Sequence, residues 1–136
     1  MDLDGEAQER LMKLVIDLFF EVYRNLGPGL LEHVYASALE RELRDRGIRL
    51  GREVSVVLYY KGLELARQRL DMLVEDCLII EIKATPTLHE SAVRQMMTYL
   101  MATGLRRGLV LHFGPRPRFE RVRRRWSSNR EERRDP

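Results

Sequence analysis

The segment Leu70–Ala84, "LDMLVEDCLIIEIKA", constrains the fold more than any other part of the chain. Its period-two pattern predicts two β-strands joined by a tight loop, because successive side chains of a strand point to opposite faces. One face is wholly apolar and consists of Leu70, Met72, Val74, Leu78, Ile80 and Ile82. The other face combines two aliphatic residues with three charged ones, namely Leu73, Ile79, Asp71, Glu81 and Lys83. We therefore expect a buried hairpin whose charges need an explanation.

The length of the loop decides whether these charges meet. A three-residue loop at 75–77 pairs Val74 with Leu78. Asp71 then lies directly opposite Glu81, and Lys83 follows one step further along the same face. A two-residue loop would separate the two carboxylates by one position, because a one-residue slip turns every side chain to the other face.

Two carboxylates at opposite positions of a strand pair repel each other, so the pairing is destabilising without a cation. Mg²⁺ removes that penalty, and it prefers one or two carboxylates together with water and phosphate oxygens. Lys83 could orient or deprotonate a water, which an arginine could not do. Lysine is rare here, since only Lys13, Lys61 and Lys83 are lysines among 24 basic residues. The alternative is a solvent-facing strand on which Asp71 and Lys83 form a salt bridge.

The rest of the chain predicts one α/β domain over residues 1–122. Apolar residues recur every three to four positions in three segments, which indicates helices at 6–25, 30–46 and about 90–102. Strands are expected at 53–60, 63–74, 78–83 and 108–114, with a candidate edge strand at 118–126. The order is α-α-β-β-β-α-β, which describes a mixed β-sheet flanked by helices.

Charge is distributed unevenly along the chain. Residues 115–136 contain nine arginines and four acidic residues, whereas the whole chain has a formal net charge of only +3. A basic segment suggests an anionic partner, usually nucleic acid, which assigns binding to Arg121, Arg123, Arg124 and Arg125. The alternative is a solvated tail, and we expect residues 123–136 to be flexible.

The sequence also indicates where the protein works. It has no apolar run long enough to span a membrane, and its acidic N-terminus is unlike a secretory leader. Cys77 is the single cysteine, so no disulfide within the chain can form. We expect a cytoplasmic protein without a membrane partner.

Two further segments offer polar residues that could join the charged hairpin. Glu32 lies near the start of the second helix on an otherwise apolar face that includes Tyr35, so we expect that face to turn inward. The helix dipole alone also explains an acidic residue in a first turn. The third helix has Gln95 and Tyr99 on one face, four residues apart, although Tyr99 could equally belong to the core.

The charged hairpin resembles the D-(x)n-E-x-K signature of the PD-(D/E)XK nuclease superfamily. Asp71 lies on one strand and Glu81-Ile82-Lys83 on the next. Leu70 stands where that signature has a proline, which is its least consistent position. The resemblance implies a restriction-endonuclease-like core.

The flanking helices extend this resemblance over roughly residues 11–119. A helical Glu32 before the motif and Q-x-x-x-Y after it, at Gln95 and Tyr99, are similar to the exonuclease-like branch of the superfamily. Residues 29–35, "GLLEHVY", read as G-x-x-E-x-x-Y, the string that names a family of small bacterial proteins in this superfamily.

The resemblance implies metal-assisted hydrolysis of nucleic-acid phosphodiesters, with DNA favoured over RNA. Asp71 and Glu81 would hold Mg²⁺ or Mn²⁺, with the Ile82 carbonyl and Glu32 as further ligands. Lys83 would orient the attacking water or stabilise developing charge. Gln95 and Tyr99 would position the nucleic-acid strand or support the site. The alternative is a non-catalytic nucleic-acid-binding or oligomeric assembly module that keeps the fold and docks through its apolar first helix.

Overall fold

The protein is described by a computed structural model that covers residues 3–125. Its helices are α1 (Gly5–Leu26), α2 (Glu32–Asp45) and α3 (Ser91–Thr103). Its strands are β1 (Leu50–Tyr60), β2 (Leu63–Val74), β3 (Leu78–Lys83), β4 (Arg107–Phe113) and β5 (Pro117–Arg123). The predicted element order is confirmed, and the candidate edge strand forms as β5. Within residues 3–125 no helix combines the length and the apolar character that crossing a membrane requires.

The five strands form one mixed sheet in the order β1-β2-β3-β4-β5. Neighbouring strands are antiparallel except for β3 and β4, which run parallel and are connected through α3. Helices α1 and α2 pack on one face, over side chains such as Met72, Ile80 and Leu109. Helix α3 covers the other face and contacts Ile79 and Val110. We call these the α1/α2 face and the α3 face.

The apolar stripe of α1 is fully used inside the chain. Val15 and Phe19 are completely buried, and Leu18 and Val22 are almost so. The expectation that α1 offers an apolar docking surface is therefore wrong, because the sheet already covers that stripe.

The β2–β3 hairpin has the three-residue loop that brings the charges together. Val74 pairs with Leu78 and Met72 with Ile80, which confirms the register in which Asp71 lies opposite Glu81. Glu75 and Asp76 adopt φ values of 51° and 57°, the left-handed conformation that lets the chain reverse within the loop.

Strand β2 departs from simple alternation beside this pair. Leu70 was expected on the same face as Met72, but it is buried with Val56 on the α3 face. The cause lies on β1, where Glu53 has φ 53° and forms no ladder pair with Asp71. Beyond this point, towards the β1–β2 turn, Val56 and Leu70 pack on α3.

Candidate active site

Asp71 and Glu81 are fixed to each other's strands by their own carboxylates. The backbone N–H of Asp71 donates to Glu81 Oε2 over 2.9 Å, and the N–H of Ile82 donates to Asp71 Oδ2 over 2.7 Å. The regular β2–β3 ladder ends at the pair Met72 and Ile80. Side-chain oxygens thus take over where backbone pairing stops, and they hold the two acids in a defined arrangement.

Burial makes this pair expensive to ionise without a cation. Glu81 is 5% exposed, and burial, followed by the nearby charge of Asp71, raises its pKa to about 7. Burial also raises the pKa of Asp71, although the Ile82 N–H and the charge of Lys83 act against it. Both shifts run in the direction that a bound cation would reverse.

Lys83 provides positive charge at the end of β3 and is half-buried. Its charge lowers the pKa of both carboxyl groups, yet no acidic side chain of residues 3–125 forms an ion pair with it. The alternative of a solvent-facing strand with an Asp71–Lys83 salt bridge is therefore wrong. The amine remains available to another negative group.

Helix α3 places Tyr99 near the carboxylate pair and Gln95 near Lys83. Tyr99 is buried, and its pKa rises to about 12 through burial and the charges of Glu81 and Asp71. Its hydroxyl therefore remains protonated and can act as a donor, while its ring belongs to the core. Gln95 lines a cleft of about 370 Å³ that Lys83 also borders, so the two residues face the same space.

Glu32 is near this pair without joining it. It is the first residue of α2 and is exposed, whereas Tyr35, three residues further on, is fully buried. The expectation that Glu32 turns inward with that face is wrong, because the helix begins at the protein surface. Its charge still raises the pKa of Glu81. Among residues 3–125, no three His, Cys, Asp or Glu side chains are grouped as metal ligands would be.

The donor set at the hairpin fits a hard divalent ion. Two carboxylates face each other, and both have raised pKa values because burial disfavours their charge. Mg²⁺ and Mn²⁺ take oxygen ligands and need few from the protein, because water and phosphate supply the others. The two carboxylates are therefore ligands of the right kind, and Ile82 follows Glu81 directly on β3.

Sequence reasoning missed His112, which the structure buries beside Lys83. The two residues are direct partners across the parallel strands β3 and β4. His112 Nε2 lies 2.7 Å from the Thr85 carbonyl oxygen, while its Nδ1 atom is buried with no hydrogen-bond partner among the described residues. Only the parallel register brings this residue to the site, and the local sequence contains no signal of it.

The four arginines predicted to bind nucleic acid lie away from the carboxylate pair. Arg121 and Arg123 pair with Leu109 and Arg107, whose side chains point to the α1/α2 face. The Arg124 guanidinium donates to the Gly104 carbonyl over 2.7 Å, and its backbone N–H donates to Arg106. Arg125 follows it and is exposed. The predicted tail at 123–136 thus begins in β5, and residues 126–136 lie outside the described part of the chain.

The mixed sheet, the crossover through α3 and the acidic hairpin define a restriction-endonuclease-like fold. A family model described as the PD-(D/E)XK nuclease superfamily matches residues 9–125. The chain therefore belongs to the PD-(D/E)XK nuclease superfamily. No curated protein matches the chain.

Two solved structures are similar to this chain. One is SSO0001, with 18% sequence identity and a TM-score of 0.54, where the match covers 67% of this chain and 48% of SSO0001. This chain thus spans about half the length of SSO0001, and the likeness is one of fold. The other is the alkaline exonuclease LHK-Exo from Laribacter hongkongensis, with 15% identity, a TM-score of 0.49, and coverage of 91% of this chain and 72% of that one.

Proposed function

We propose that this protein is a metal-dependent nuclease that hydrolyses phosphodiester bonds of nucleic acid, DNA in preference to RNA. One observation carries the proposal: the buried Glu81 and the half-buried Asp71 are held opposite each other by backbone N–H groups, beside Lys83, which forms no ion pair within residues 3–125. A fold that only needed stability would gain from apolar residues at these positions. Membership of the PD-(D/E)XK superfamily supports the same chemistry.

Each residue of the site has a role that its surroundings suit. Asp71 and Glu81 hold Mg²⁺ or Mn²⁺ through their carboxylates, with the Ile82 carbonyl as a further ligand and Glu32 as a charge at the margin. When bound, the ion supplies the positive charge that lowers the pKa of a water and stabilises charge on the phosphate. Lys83 orients the attacking water and stabilises the developing negative charge. On helix α3, Tyr99 provides a hydrogen-bond donor, and Gln95 positions the nucleic-acid strand.

The G-x-x-E-x-x-Y string supports a narrower placement in the family of that name. Gly29 has φ 97°, which favours glycine, and Glu32 lies close enough to Glu81 to raise its pKa. The Tyr35 hydroxyl donates to the Gly27 carbonyl and accepts from the Leu30 N–H, so it fixes the turn before α2. Each fixed residue of the string thus has a structural task. The proposal keeps the bacterial, cytoplasmic setting expected from the sequence.

A second candidate is a nucleic-acid-binding or assembly module without turnover. It is favoured by one observation, that Glu32 does not join Asp71 and Glu81 in a three-acid cluster within residues 3–125. Such a module would bind nucleic acid equally well with and without a divalent ion, and it would not cleave.

Isothermal titration calorimetry tests the proposal. We expect Mn²⁺ and Mg²⁺ to bind the wild-type protein and not the Asp71→Asn/Glu81→Gln variant, in which amide oxygens replace both charged carboxylates. Both proteins should then be incubated with single- and double-stranded DNA and RNA, with and without the ion. Metal-dependent cleavage by the wild type alone supports the nuclease. Absence of ion binding, even with a short oligonucleotide present, contradicts it and leaves the binding module.

A further inference from the structure

The residue row that contains Lys83 continues across the sheet to its edge. Lys83 on β3 pairs with His112 on β4, and His112 pairs with Arg118 on β5. Directly paired residues share a face of the sheet. Since strands lie about 4.8 Å apart, Arg118 is about 10 Å from Lys83 along this row. The row is basic at both ends, and it begins at the proposed reaction centre.

This row lies on the α3 face. On β4, Gly108 abuts Met96 of α3 and Val110 packs in the cluster of that helix, so His112 falls on the same side. On β5, Val122 belongs to the same cluster. Arg118 lies four residues before Val122 on this strand, and residues an even number apart on a strand share a face. The alternation therefore assigns Arg118 to the face that also carries Glu81 and Lys83.

Two neighbouring clefts lie along the row. The cleft beside Lys83 and Gln95 has a volume of about 370 Å³, and one of its walls is Leu88. Leu88 also lines a second cleft, of about 270 Å³, whose other side is formed by His112, Arg116 and Arg118. The two clefts share Leu88 and together extend from Lys83 to the β4–β5 turn.

The two arginines at the far end of these clefts can accept an anion. Arg116 is exposed and forms no ion pair within residues 3–125. Arg118 contacts Glu120 over 3.2 Å, but both side chains are exposed, and such a pair contributes little to stability. A phosphate oxygen can therefore replace Glu120 at small cost, and guanidinium groups bind phosphate in a bidentate manner.

We propose that Arg116 and Arg118 form a binding subsite for a phosphate group of the substrate strand beyond the one that is cleaved. This inference rests on the proposed nuclease function and makes it more specific. The strand runs from the Asp71–Glu81 pair past Leu88 to the β4–β5 turn. The substrate is then a polynucleotide with at least one phosphate besides the scissile one, and binding depends on Arg116 in the β4–β5 turn and Arg118 on β5.

The salt dependence of binding tests this subsite. A fluorescently labelled single-stranded DNA 12-mer is titrated in a Glu81→Gln background, which prevents cleavage, over a series of salt concentrations. Each lost phosphate contact lowers the steepness of log K against log salt by about 0.7, so Arg116→Gln/Arg118→Gln, which removes the subsite for one phosphate, should lower it by about 0.7. The matched control is Arg24→Gln/Arg41→Gln, which removes the same charge from two exposed arginines of α1 and α2, the helices that cover the other face of the sheet. We expect this control to leave the slope unchanged.

Cleavage in the otherwise wild-type protein gives the second readout. Arg116→Gln/Arg118→Gln should raise KM for the 12-mer and leave the turnover of a mononucleotide nitrophenyl diester, which has a single phosphate, unchanged. Equal slopes for wild type and Arg116→Gln/Arg118→Gln, or an equal loss in the control, overturn the subsite. The nuclease function would survive that result if the wild type still cleaves. No cleavage and no binding by any protein would overturn the function and the subsite together.

Discussion

Glu81 combines two properties that normally exclude each other, since it is a carboxyl group buried in a sheet and it faces a second carboxyl group. Burial and Asp71 raise its pKa to about 7, whereas the ordinary value is 4.5. The folded protein thus holds this proton more tightly than the unfolded chain. The stability that this provides is complete below pH 4.5 and is lost as the pH rises from 4.5 through 7.

We therefore expect the free energy of unfolding of the metal-free protein to contain a component that falls by about 3 kcal/mol over this pH range. Glu81→Gln removes the component, because the amide does not titrate. Urea unfolding in EDTA at several pH values measures it as the difference between wild type and variant. The difference isolates Glu81, since Glu9 and Glu40, whose pKa values are lowered by arginine neighbours, remain in both proteins. A difference that does not vary with pH would contradict the prediction.

Tyr99 contributes through its ring and through its hydroxyl, and substitutions separate the two. Tyr99→Phe keeps the buried ring, so we expect a change in stability of less than about 1 kcal/mol. Its kcat should fall while the KM for DNA stays close to that of the wild type, because the lost donor acts at the site. Tyr99→Ala removes the ring and should destabilise the protein by about 3 to 5 kcal/mol. Thermal unfolding and steady-state kinetics check both outcomes, and a fully active Tyr99→Phe enzyme would assign this residue to the core alone.

Lys83 should not tolerate replacement by arginine. Lys83→Arg preserves the charge but exchanges a compact amine for a planar fork that does not give up its proton. We expect loss of cleavage by at least about 100-fold, the usual range for a positioned proton-transfer or charge-stabilising group. Calorimetric Mn²⁺ binding and the far-ultraviolet circular dichroism spectrum should remain as in the wild type. An active Lys83→Arg enzyme would show that charge alone is needed.

At the scale of elements, the packing of α3 against β4 depends on Gly108. A β-carbon at Gly108 would overlap the Sδ and Cγ atoms of Met96, which is completely buried. We expect Gly108→Ala to destabilise the protein by about 1 to 3 kcal/mol through overpacking. The same substitution in a Met96→Ala background should cost far less, because the space is then free. Additive effects in this double-mutant cycle, measured by urea unfolding, would contradict the proposed contact.

The sequence predicted those elements and contacts that depend on neighbouring residues. Hydrophobic period and turn residues were enough for the helices and strands. The loop length of the β2–β3 hairpin stayed open between two and three residues, and the structure decides it in favour of the Asp71–Glu81 register. The bend at Leu70 was not predictable, because it arises from the conformation of Glu53 on another strand. His112 and Arg118 were missed for the same reason. They reach the row of Lys83 only through strand pairings that a one-dimensional pattern does not contain.

For the whole molecule, we expect the Asp71–Glu81 pair to lower the free energy of unfolding when no cation is bound and to raise it when one is bound. At pH 8 in EDTA, we expect Asp71→Asn/Glu81→Gln to be more stable than the wild type. The amide oxygens can accept the same backbone hydrogen bonds without mutual repulsion. Mn²⁺ at about 1,000 times its dissociation constant should add about 4.1 kcal/mol to the wild type and nothing to the variant, which reverses the order. Thermal scans of the two proteins with and without Mn²⁺ measure this, and an unchanged order would contradict a metal site at the hairpin.

The hydrogen bonds from the Asp71 and Ile82 N–H groups to the two carboxylates restrict the routes by which a descendant of this protein could lose the proposed nuclease activity. Replacing either acid by alanine would leave a backbone donor of a central strand pair without a partner. Replacement by asparagine and glutamine would end catalysis and keep the acceptor. We expect inactive descendants of this fold to have Asn at 71 and Gln at 81 more often than apolar residues, so that the amide pair persists as a recognisable trace of the lost enzyme.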